Sequence, residues 1–439
     1  MSDAATLPHA QLKPGVSLLG VVMLGAGTAI GVSVFSVLGP AAQVAGAGLL
    51  ISVLLAALPM LVFALVYGFL SSVLPKSGAS YEWPARFVHP LFGFLVAWLR
   101  ILGSVGVVAT LLAVLVNYLS MALPVAALPV KLAVLTAIFA LNFAGVAVAA
   151  RAQAALMAVL LASMALFMAS GAPLVQAANL GHLTAAGWPA IAAAVPLMIT
   201  LFLGIESATE IGEEVRDARR TIPRGIALAI TLTALVYVAV AVVALGLLGP
   251  QRLAASKAPL LEAARIPLGA LALPVIVGAA VFAVIKTLNS SVLIFSRYLF
   301  AMGRAGVLPA ALGRVHPHRG TPYVALLVAY AAALAGLLLP SGLVFLLLAV
   351  NIPTMLKYMG SCLSAIRLVR LHPELHAQAA LPLARRTVTL LGWLGVVAAL
   401  TIIVVGLNAD WRPYALVGAW GLVGLAYWFA ARRPARTAA

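Results

Sequence analysis

Two glycine-containing stretches decide how this sequence folds: GAGTAIGVSVF at residues 25–35 and FLGIESA at residues 202–208. Each stretch lies inside an apolar run that is long enough to cross a bilayer as a helix. Glycine destabilises the interior of a helix, because it loses more conformational freedom on folding than any other residue. Non-helical backbone at membrane depth is tolerated only where it lines a cavity or is buried in protein. The two stretches therefore predict two interrupted membrane helices beside an internal cavity.

The composition excludes a soluble globular protein. Of the 439 residues, 64% are hydrophobic and 8% are charged, and the mean hydropathy is +1.15. Such values are typical of a helical protein that crosses the membrane many times. The single cysteine, Cys362, excludes an intrachain disulfide and a cysteine-rich metal site. All seven histidines fall in predicted loops or at span ends, so we expect no metal site and no cofactor.

The apolar runs between proline, glycine and charged residues predict an all-α integral membrane protein with twelve transmembrane helices. The predicted spans are 16–39, 47–73, 91–122, 131–149, 153–171, 190–212, 225–248, 267–301, 322–339, 343–366, 388–407 and 412–430. The first apolar run is too long for the core of a signal peptide and lacks a small-residue cleavage site. We therefore expect the first span to be retained.

The formal charge of +17 is explained by membrane topology rather than by nucleic-acid binding. With the N-terminus inside, most of the 27 Lys and Arg residues fall in the inner segments. The positive-inside rule then places both termini in the cytoplasm. Nucleic-acid binding would require a basic patch interleaved with aromatic residues, and the sequence has none. We expect a multi-pass protein of the cytoplasmic membrane whose basic loops contact anionic lipid headgroups.

Four segments of the chain resemble the amino acid–polyamine–organocation (APC) superfamily, specifically its bacterial amino acid permeases. Span one contains IGVSVF at residues 30–35, similar to the family pattern Ile-Gly-x-Gly-Ile-Phe, with Ser33 in place of the second glycine. The other segments are SSVLPKSGASY at 71–81, GIE at 204–206 with EEVRDARRTIPR at 213–224, and Asn289 with SRYL at 296–299 and GVLP at 306–309. The resemblance implies a LeuT-type fold with a 5+5 inverted repeat, discontinuous helices 1 and 6, and two added C-terminal helices.

The chain divides into two halves if that resemblance holds. An odd number of spans per half inverts the second half relative to the first. The tetrapeptides TAIG at 28–31 and TEIG at 209–212 are a faint trace of such a repeat. The predicted parts are an N-terminal cytoplasmic tail at 1–14, a first repeat at 15–171, a second repeat at 190–369, two further spans at 388–430 and a C-terminal cytoplasmic tail at 431–439.

A pair of interrupted helices in corresponding halves is the best sequence pointer to the binding site of a transporter. A helix that starts after the first break presents free N–H groups, which suit a carboxylate, and a helix that ends at the second presents free carbonyls, which suit an ammonium group. We predict that the carboxylate of an amino acid is held by the backbone of Gly27, Thr28, Ala29, Ile30, Gly31, Val32 and Ser33. The predicted amine site and cavity wall are Thr200, Phe202, Leu203, Gly204 and Ile205. Close helix packing is the structural alternative for these glycines.

Ionisable residues inside spans are functional candidates by default. We predict that Lys286 of span eight reaches the position beside span one where sodium-coupled relatives hold an ion, and that it replaces sodium and exchanges a proton. Glu206, at the second break, is the other candidate for carrying a proton. Glu210, Lys357 and Arg100 are secondary candidates. The open alternatives are a structural role for Lys286 or Glu206, pairing of Lys357 with Glu206 or Glu210, and extension of Arg100 to the inner surface.

These features predict a secondary active transporter that moves amino acids by alternating access. The predicted cavity residues favour neutral, apolar amino acids. Proton coupling and exchange both stay open. The alternatives are an amino acid exporter and an amine or polyamine carrier, although a dication would call for more buried carboxylates. The spans contain no aspartate and no protease motif, which makes an intramembrane enzyme a poor fit. We expect an amino acid, H⁺ and membrane lipids as partners, and no nucleic acid.

Overall fold

A computed structural model of the chain describes residues 12–337, 343–409 and 411–431, which form eighteen α-helices and several short 3-10 turns. The first nine helices are α1 (Leu18–Ala29), α2 (Ser33–Ser36), α3 (Leu38–Ala45), α4 (Leu49–Val73), α5 (Ala79–Phe87), α6 (Pro90–Ser120), α7 (Ala127–Phe143), α8 (Val146–Gly171) and α9 (Ala177–Leu180). The remaining nine are α10 (Trp188–Ile199), α11 (Ala218–Ala255), α12 (Pro259–Leu268), α13 (Ala272–Arg304), α14 (Tyr323–Gly336), α15 (Leu343–Leu371), α16 (Pro373–Ala377), α17 (Arg385–Ala409) and α18 (Arg412–Ala431). Within the described ranges, β-pairing is limited to two isolated bridges.

Length and apolar composition allow many of these helices to cross a bilayer. Eight segments of the described chain qualify by a span of at least 18 residues, namely Leu18–Ser36, Leu38–Val73, Pro90–Ser120, Val146–Leu174, Ala218–Ala255, Pro259–Arg304, Arg385–Val404 and Arg412–Ala431. Three shorter apolar helices, α7, α10 and α14, fall below that length. The chain is therefore a multi-pass, all-helical membrane protein, and the count of twelve spans stays a prediction.

The helix α13 is central to the packing that positions the site. It lies against α6, α8 and α1, while α1 also packs against α8 and α11. Most side chains of α13 from Ala279 to Gly303 are buried, including Lys286 and Arg297. By contrast, α17 exposes a row of apolar side chains, as expected for a helix whose solvent is lipid.

The predicted boundaries of spans four, five and eight were wrong. The turn between spans four and five lies at Ala144–Gly145, not near residue 151, because Gly145 adopts a positive φ of 124° and Arg151 continues the helix α8 with its side chain exposed. Span eight does not begin at residue 267, since α12 ends at Leu268 and α13 begins at Ala272. Within span six the helix α10 ends at Ile199, just before the stretch 202–208 that predicts an interruption. Residues 1–11 and 432–439 of the predicted tails, and 338–339 of span nine, lie outside the described residues.

Candidate functional site

The first interruption lies between α1 and α2. The helix α1 ends at Ala29, and Ile30 leaves helical geometry with a ψ of 68°. The chain returns to helical dihedrals at Val32, and Val37 carries them from α2 into α3. In α1, the Thr28 hydroxyl donates to the carbonyl of Leu24 at 2.7 Å, one turn back. The break therefore falls within the stretch that the sequence singled out.

The second interruption begins after α10 and continues through turns to a 3-10 segment at Ser207–Glu210. Gly204 has a φ of 100°, a conformation that L side chains rarely adopt. A Cβ at Gly204 would lie 2.4 Å from Cγ2 of Thr28, and a Cβ at Gly25 would lie 2.6 Å from the carbonyl oxygen of Ile205. The glycines therefore let the two interruptions approach each other closely.

The two interruptions present complementary backbone groups. The N–H groups of Val32, Ser33 and Val34 donate to no acceptor within the described part of the chain. The carbonyls at positions 201–203 likewise accept no hydrogen bond from a described residue. The hydroxyl of Ser33 donates to the carbonyl of Thr200 at 3.4 Å, which joins the two segments. Open donors at the start of α2 thus lie beside open acceptors in the irregular backbone after α10.

The side chains around these groups are mostly apolar, and solvent reaches part of them. Thr28, Val32 and Ser33 on the first segment are half-buried, as are Thr200, Leu203 and Gly204 on the second. Phe202 is fully buried, and its ring meets the edge of Tyr237 with the ring centroids 6.0 Å apart. Ile205 is buried as well.

Lys286 lies against the first interruption. Its ammonium donates to the carbonyl oxygens of Gly27 and Ile30, and the side chain is fully buried. The carbonyl of Ala29 accepts a hydrogen bond of 2.6 Å from the Tyr237 hydroxyl. Protein donors therefore occupy three of the carbonyls at the first break, those of Gly27, Ala29 and Ile30. Lys286 thus lies beside span one, while its place at an ion position and its coupling role stay predictions.

A buried amide network beside Lys286 was not predicted as a functional feature. Gln153 of α8 donates to the Ser290 hydroxyl at 3.0 Å, and Ser290 donates to the carbonyl of Lys286 at 3.0 Å. Asn289 donates to Gln153 at 3.1 Å and accepts from Asn142 at 2.9 Å. Polar residues in otherwise apolar spans were the available signal, since each must find a partner in the bilayer.

The carboxylate of Glu206 forms a buried ion pair with Lys357 of α15. The neighbouring hydroxyl of Tyr358 donates to the other carboxylate oxygen of Glu206 at 2.9 Å. The Lys357 ammonium also lies over two aromatic rings, 4.8 Å from the centroid of Tyr358 and 5.7 Å from that of Tyr67. Of the partners considered from the sequence, Lys357 therefore pairs with Glu206 rather than with Glu210.

Glu210 and Arg100 lie in the same region and have different partners. The Glu210 carboxylate accepts hydrogen bonds from the backbone N–H and the hydroxyl of Ser80, and from Tyr298 at 3.3 Å. Arg100 donates to the hydroxyl of Thr354 on α15 at 2.7 Å and lies over the ring of Tyr298 at 5.7 Å. Arg100 thus bridges α6 and α15 instead of extending to the inner surface.

One end of the molecule is closed by backbone pairing, and we name this the N-terminal seal, residues 15–16 with 214–216. The N–H groups of Gly15 and Val16 both donate to the carbonyl of Glu214, at 2.9 and 3.0 Å. The Glu214 carboxylate forms a fully buried bidentate pair with Arg297 of α13, at 2.6 and 2.9 Å. A second bridge joins Ser77 to Ile211. Any opening at this end must break these contacts.

A more exposed ion network surrounds the seal. Glu213 pairs with Arg304 at 2.7 Å and with Lys76 at 2.9 Å, and Arg304 also reaches Glu82 at 3.1 Å. Burial by itself raises the pKa of Glu213, but the two cations outweigh burial and hold that pKa below its ordinary value. The pairs stabilise the seal while Glu213 is ionised.

Apolar membrane-crossing helices, with two interruptions that meet beside a buried lysine, define the class of a helical membrane transporter. The chain belongs to the amino acid permease family, whose model matches residues 20–431. It is 36% identical over 340 residues to an uncharacterized transporter of Mycobacterium tuberculosis, which covers 76% of each chain. It is 27% identical over 453 residues to a branched-chain amino acid permease of Bacillus subtilis, 97% of this chain and 94% of the relative. A methylthioribose transporter of Bacillus subtilis is 27% identical over 390 residues, 84% of each chain.

Proposed function

We propose that this protein is a secondary active transporter that moves neutral, mostly apolar amino acids across the cytoplasmic membrane by alternating access. The observation that carries the proposal is the meeting of open N–H groups at Val32–Val34 with open carbonyls at positions 201–203. A zwitterion needs both kinds of group at once, because each of its charges is costly to bury without a partner. Of the predicted members Gly27 to Ser33, only Val32 and Ser33 keep open N–H groups, since Ile30 and Gly31 donate to the carbonyls of Ala26 and Ala29. The substrate carboxylate would therefore lie at the start of α2, and its ammonium on the second segment.

The apolar surroundings of the two segments support a neutral side chain on the substrate. Leu203 is half-buried next to the open carbonyls, and Val32 is half-buried next to the open N–H groups. Branched-chain amino acid permeases are among the relatives. These features favour neutral amino acids over the alternative of an amine or polyamine carrier.

We propose that Lys286 is the coupling group. Its ammonium occupies freed backbone carbonyls, the kind of ligand that holds Na⁺ in related folds. Loss of its proton removes a charge that holds the first interruption, which links protonation to the geometry of the site. Lys286 contacts none of the described carboxylates. Glu206 suits this role less, since Lys357 and Tyr358 both donate to its ionised form.

We further propose the twelve-span arrangement of the LeuT type, with repeats at 15–171 and 190–369, spans eleven and twelve at 388–430, and both termini in the cytoplasm. In that orientation the N-terminal seal closes the cytoplasmic side. Spans one, two, six and seven would rock against spans three, four, eight and nine to open it. An exporter would use the same site and the same motion with the opposite net direction.

Uptake into proteoliposomes tests the proposal. A panel of neutral, cationic and anionic amino acids and of polyamines is offered with and without an inward proton gradient, in sodium and in choline buffers. We expect saturable, stereospecific uptake or exchange of neutral apolar amino acids that does not depend on sodium. If no zwitterion is taken up or exchanged under any of these conditions, the proposal is wrong.

A further inference from the structure

Four charged groups that balance one another lie in or beside the second interruption, three of them buried and Arg100 half-buried. Glu206 and Glu210 supply two carboxylates, and Lys357 and Arg100 supply two cations. Glu206 and Glu210 are 3% and 0% exposed, and Lys357 is 4% exposed. With all four groups ionised, the set has no net charge.

The Glu206 carboxylate is close to the backbone that we assign to the substrate. Glu206 follows Ile205 directly in the chain. The Tyr358 hydroxyl donates to the Glu206 carboxylate at 2.9 Å. Glu206 is itself part of the second interruption, so its charge acts on the ammonium side of the site.

Lys357 determines whether the negative charge of Glu206 is already compensated or is left for a substrate to compensate. A buried carboxylate is strongly disfavoured unless a cation or hydrogen-bond donors compensate it. An extended basic side chain could supply that compensation, as Lys357 now does from α15. With Lys357 in place, a substrate with a basic side chain would bring an extra positive charge into a set of four charged groups that is already neutral.

We propose that Lys357 is a specificity-determining residue, a built-in counter-ion of Glu206 that restricts the transporter to amino acids with uncharged side chains. This inference rests on the proposed function and adds to it the reason why cationic substrates are excluded. Glu206 and Lys357 then act as one unit. Removing the cation opens the site to basic side chains, and removing the carboxylate opens it to acidic ones.

The experiment measures inhibition of labelled L-leucine uptake by L-lysine, L-glutamate and L-isoleucine in proteoliposomes of the full chain. For Lys357→Met we expect L-lysine to inhibit at concentrations about tenfold lower than in the wild type, the effect of one charge-assisted hydrogen bond. For Glu206→Gln we expect the same gain for L-glutamate. The double variant should return to the wild-type preference, because its site is neutral again. Lys257→Met, which removes an exposed lysine, is the matched control for net charge.

The two single variants shift selectivity in opposite directions, so a purely structural role cannot imitate the result. If one single variant fails to fold, the other single variant and the double variant still decide the question. Unchanged inhibition profiles in Glu206→Gln or Lys357→Met, or lysine uptake by the wild type equal to leucine uptake, would overturn the inference. A wild type that takes up no zwitterion would instead defeat the proposed function itself.

Discussion

At the scale of the residue, Gly204 is a position that has no room for a side chain. Its φ of 100°, and the 2.4 Å that would separate an added Cβ from Cγ2 of Thr28, combine backbone strain with a steric clash. We expect Gly204→Ala to destabilise the folded protein by about 1–3 kcal/mol and to abolish leucine uptake. Gly278→Ala is the matched control, because a Cβ there meets open space on the helix α13. Thermal unfolding in detergent and uptake measure both effects, and a stable, active Gly204→Ala protein would contradict the assignment of the break.

Lys286 supports a second prediction at this scale. Lys286→Met removes the ammonium that holds the carbonyls of Gly27 and Ile30. We expect net uptake driven by a proton gradient to fall at least about tenfold, the effect of one lost charge-assisted contact, and its pH dependence to flatten. Exchange of internal for external leucine needs no coupling ion and should be less affected. Full pH-dependent uptake in Lys286→Met would rule out the coupling role.

Some of the site can be predicted from single residues, and some of it cannot. The interruptions and Lys286 are visible in the sequence because glycine runs and charges are rare inside apolar spans. The contact of Arg100 is not, since no sequence pattern shows that Thr354, 254 positions later, offers it a hydroxyl. The sequence leaves several pairings possible for Glu206, because its partner Lys357 lies 151 positions away in the chain.

At the scale of the element, composition predicts where apolar helices lie better than where they end. The charge of Arg151 predicts a span boundary, yet Arg151 continues the helix α8, where its exposed side chain needs no partner. The true turn is at Gly145, whose φ of 124° only glycine adopts readily. The second interruption continues into 3-10 turns, and there the N–H of Gly78 donates to the carbonyl of Glu210 at 2.9 Å, where a continuous helix would bond along its own chain.

The ion network around Glu213 predicts a pH dependence of stability. The pKa of Glu213 is lowered in the folded protein, so its contribution to stability is complete above the pKa of the unfolded chain and is lost as the pH falls through the folded value. We expect the thermal stability of the wild type to drop on acidification below about pH 4 more steeply than that of Glu213→Gln. Glu374→Gln, at an exposed glutamate, should follow the wild type. Parallel pH curves for the wild type and Glu213→Gln would count against this role of the network.

At the scale of the whole molecule, the N-terminal seal predicts that transport requires its residues to separate. Val16 and Val215 form a backbone bridge and are both buried. A reducible thiol cross-linker that joins Val16→Cys to Val215→Cys should block uptake in proportion to the cross-linked fraction, and reduction should restore it. The native Cys362 is buried, and a Cys362→Ala background removes it from the reaction. Full transport by completely cross-linked protein would show that the seal does not open.

The contact of Lys286 with the first helix also has a consequence for biogenesis. The carbonyls of Gly27 and Ile30 leave the ribosome 259 and 256 residues before the lysine that binds them. At about 5–20 residues per second, the delay is on the order of ten to fifty seconds. During that time the broken first helix waits in the bilayer without its final donor, and the lysine then inserts at a cost of about 2.5–3.5 kcal/mol until it docks. The first half of the chain is therefore not a unit that matures by itself, and its assembly is completed only when translation has passed the middle of the second half.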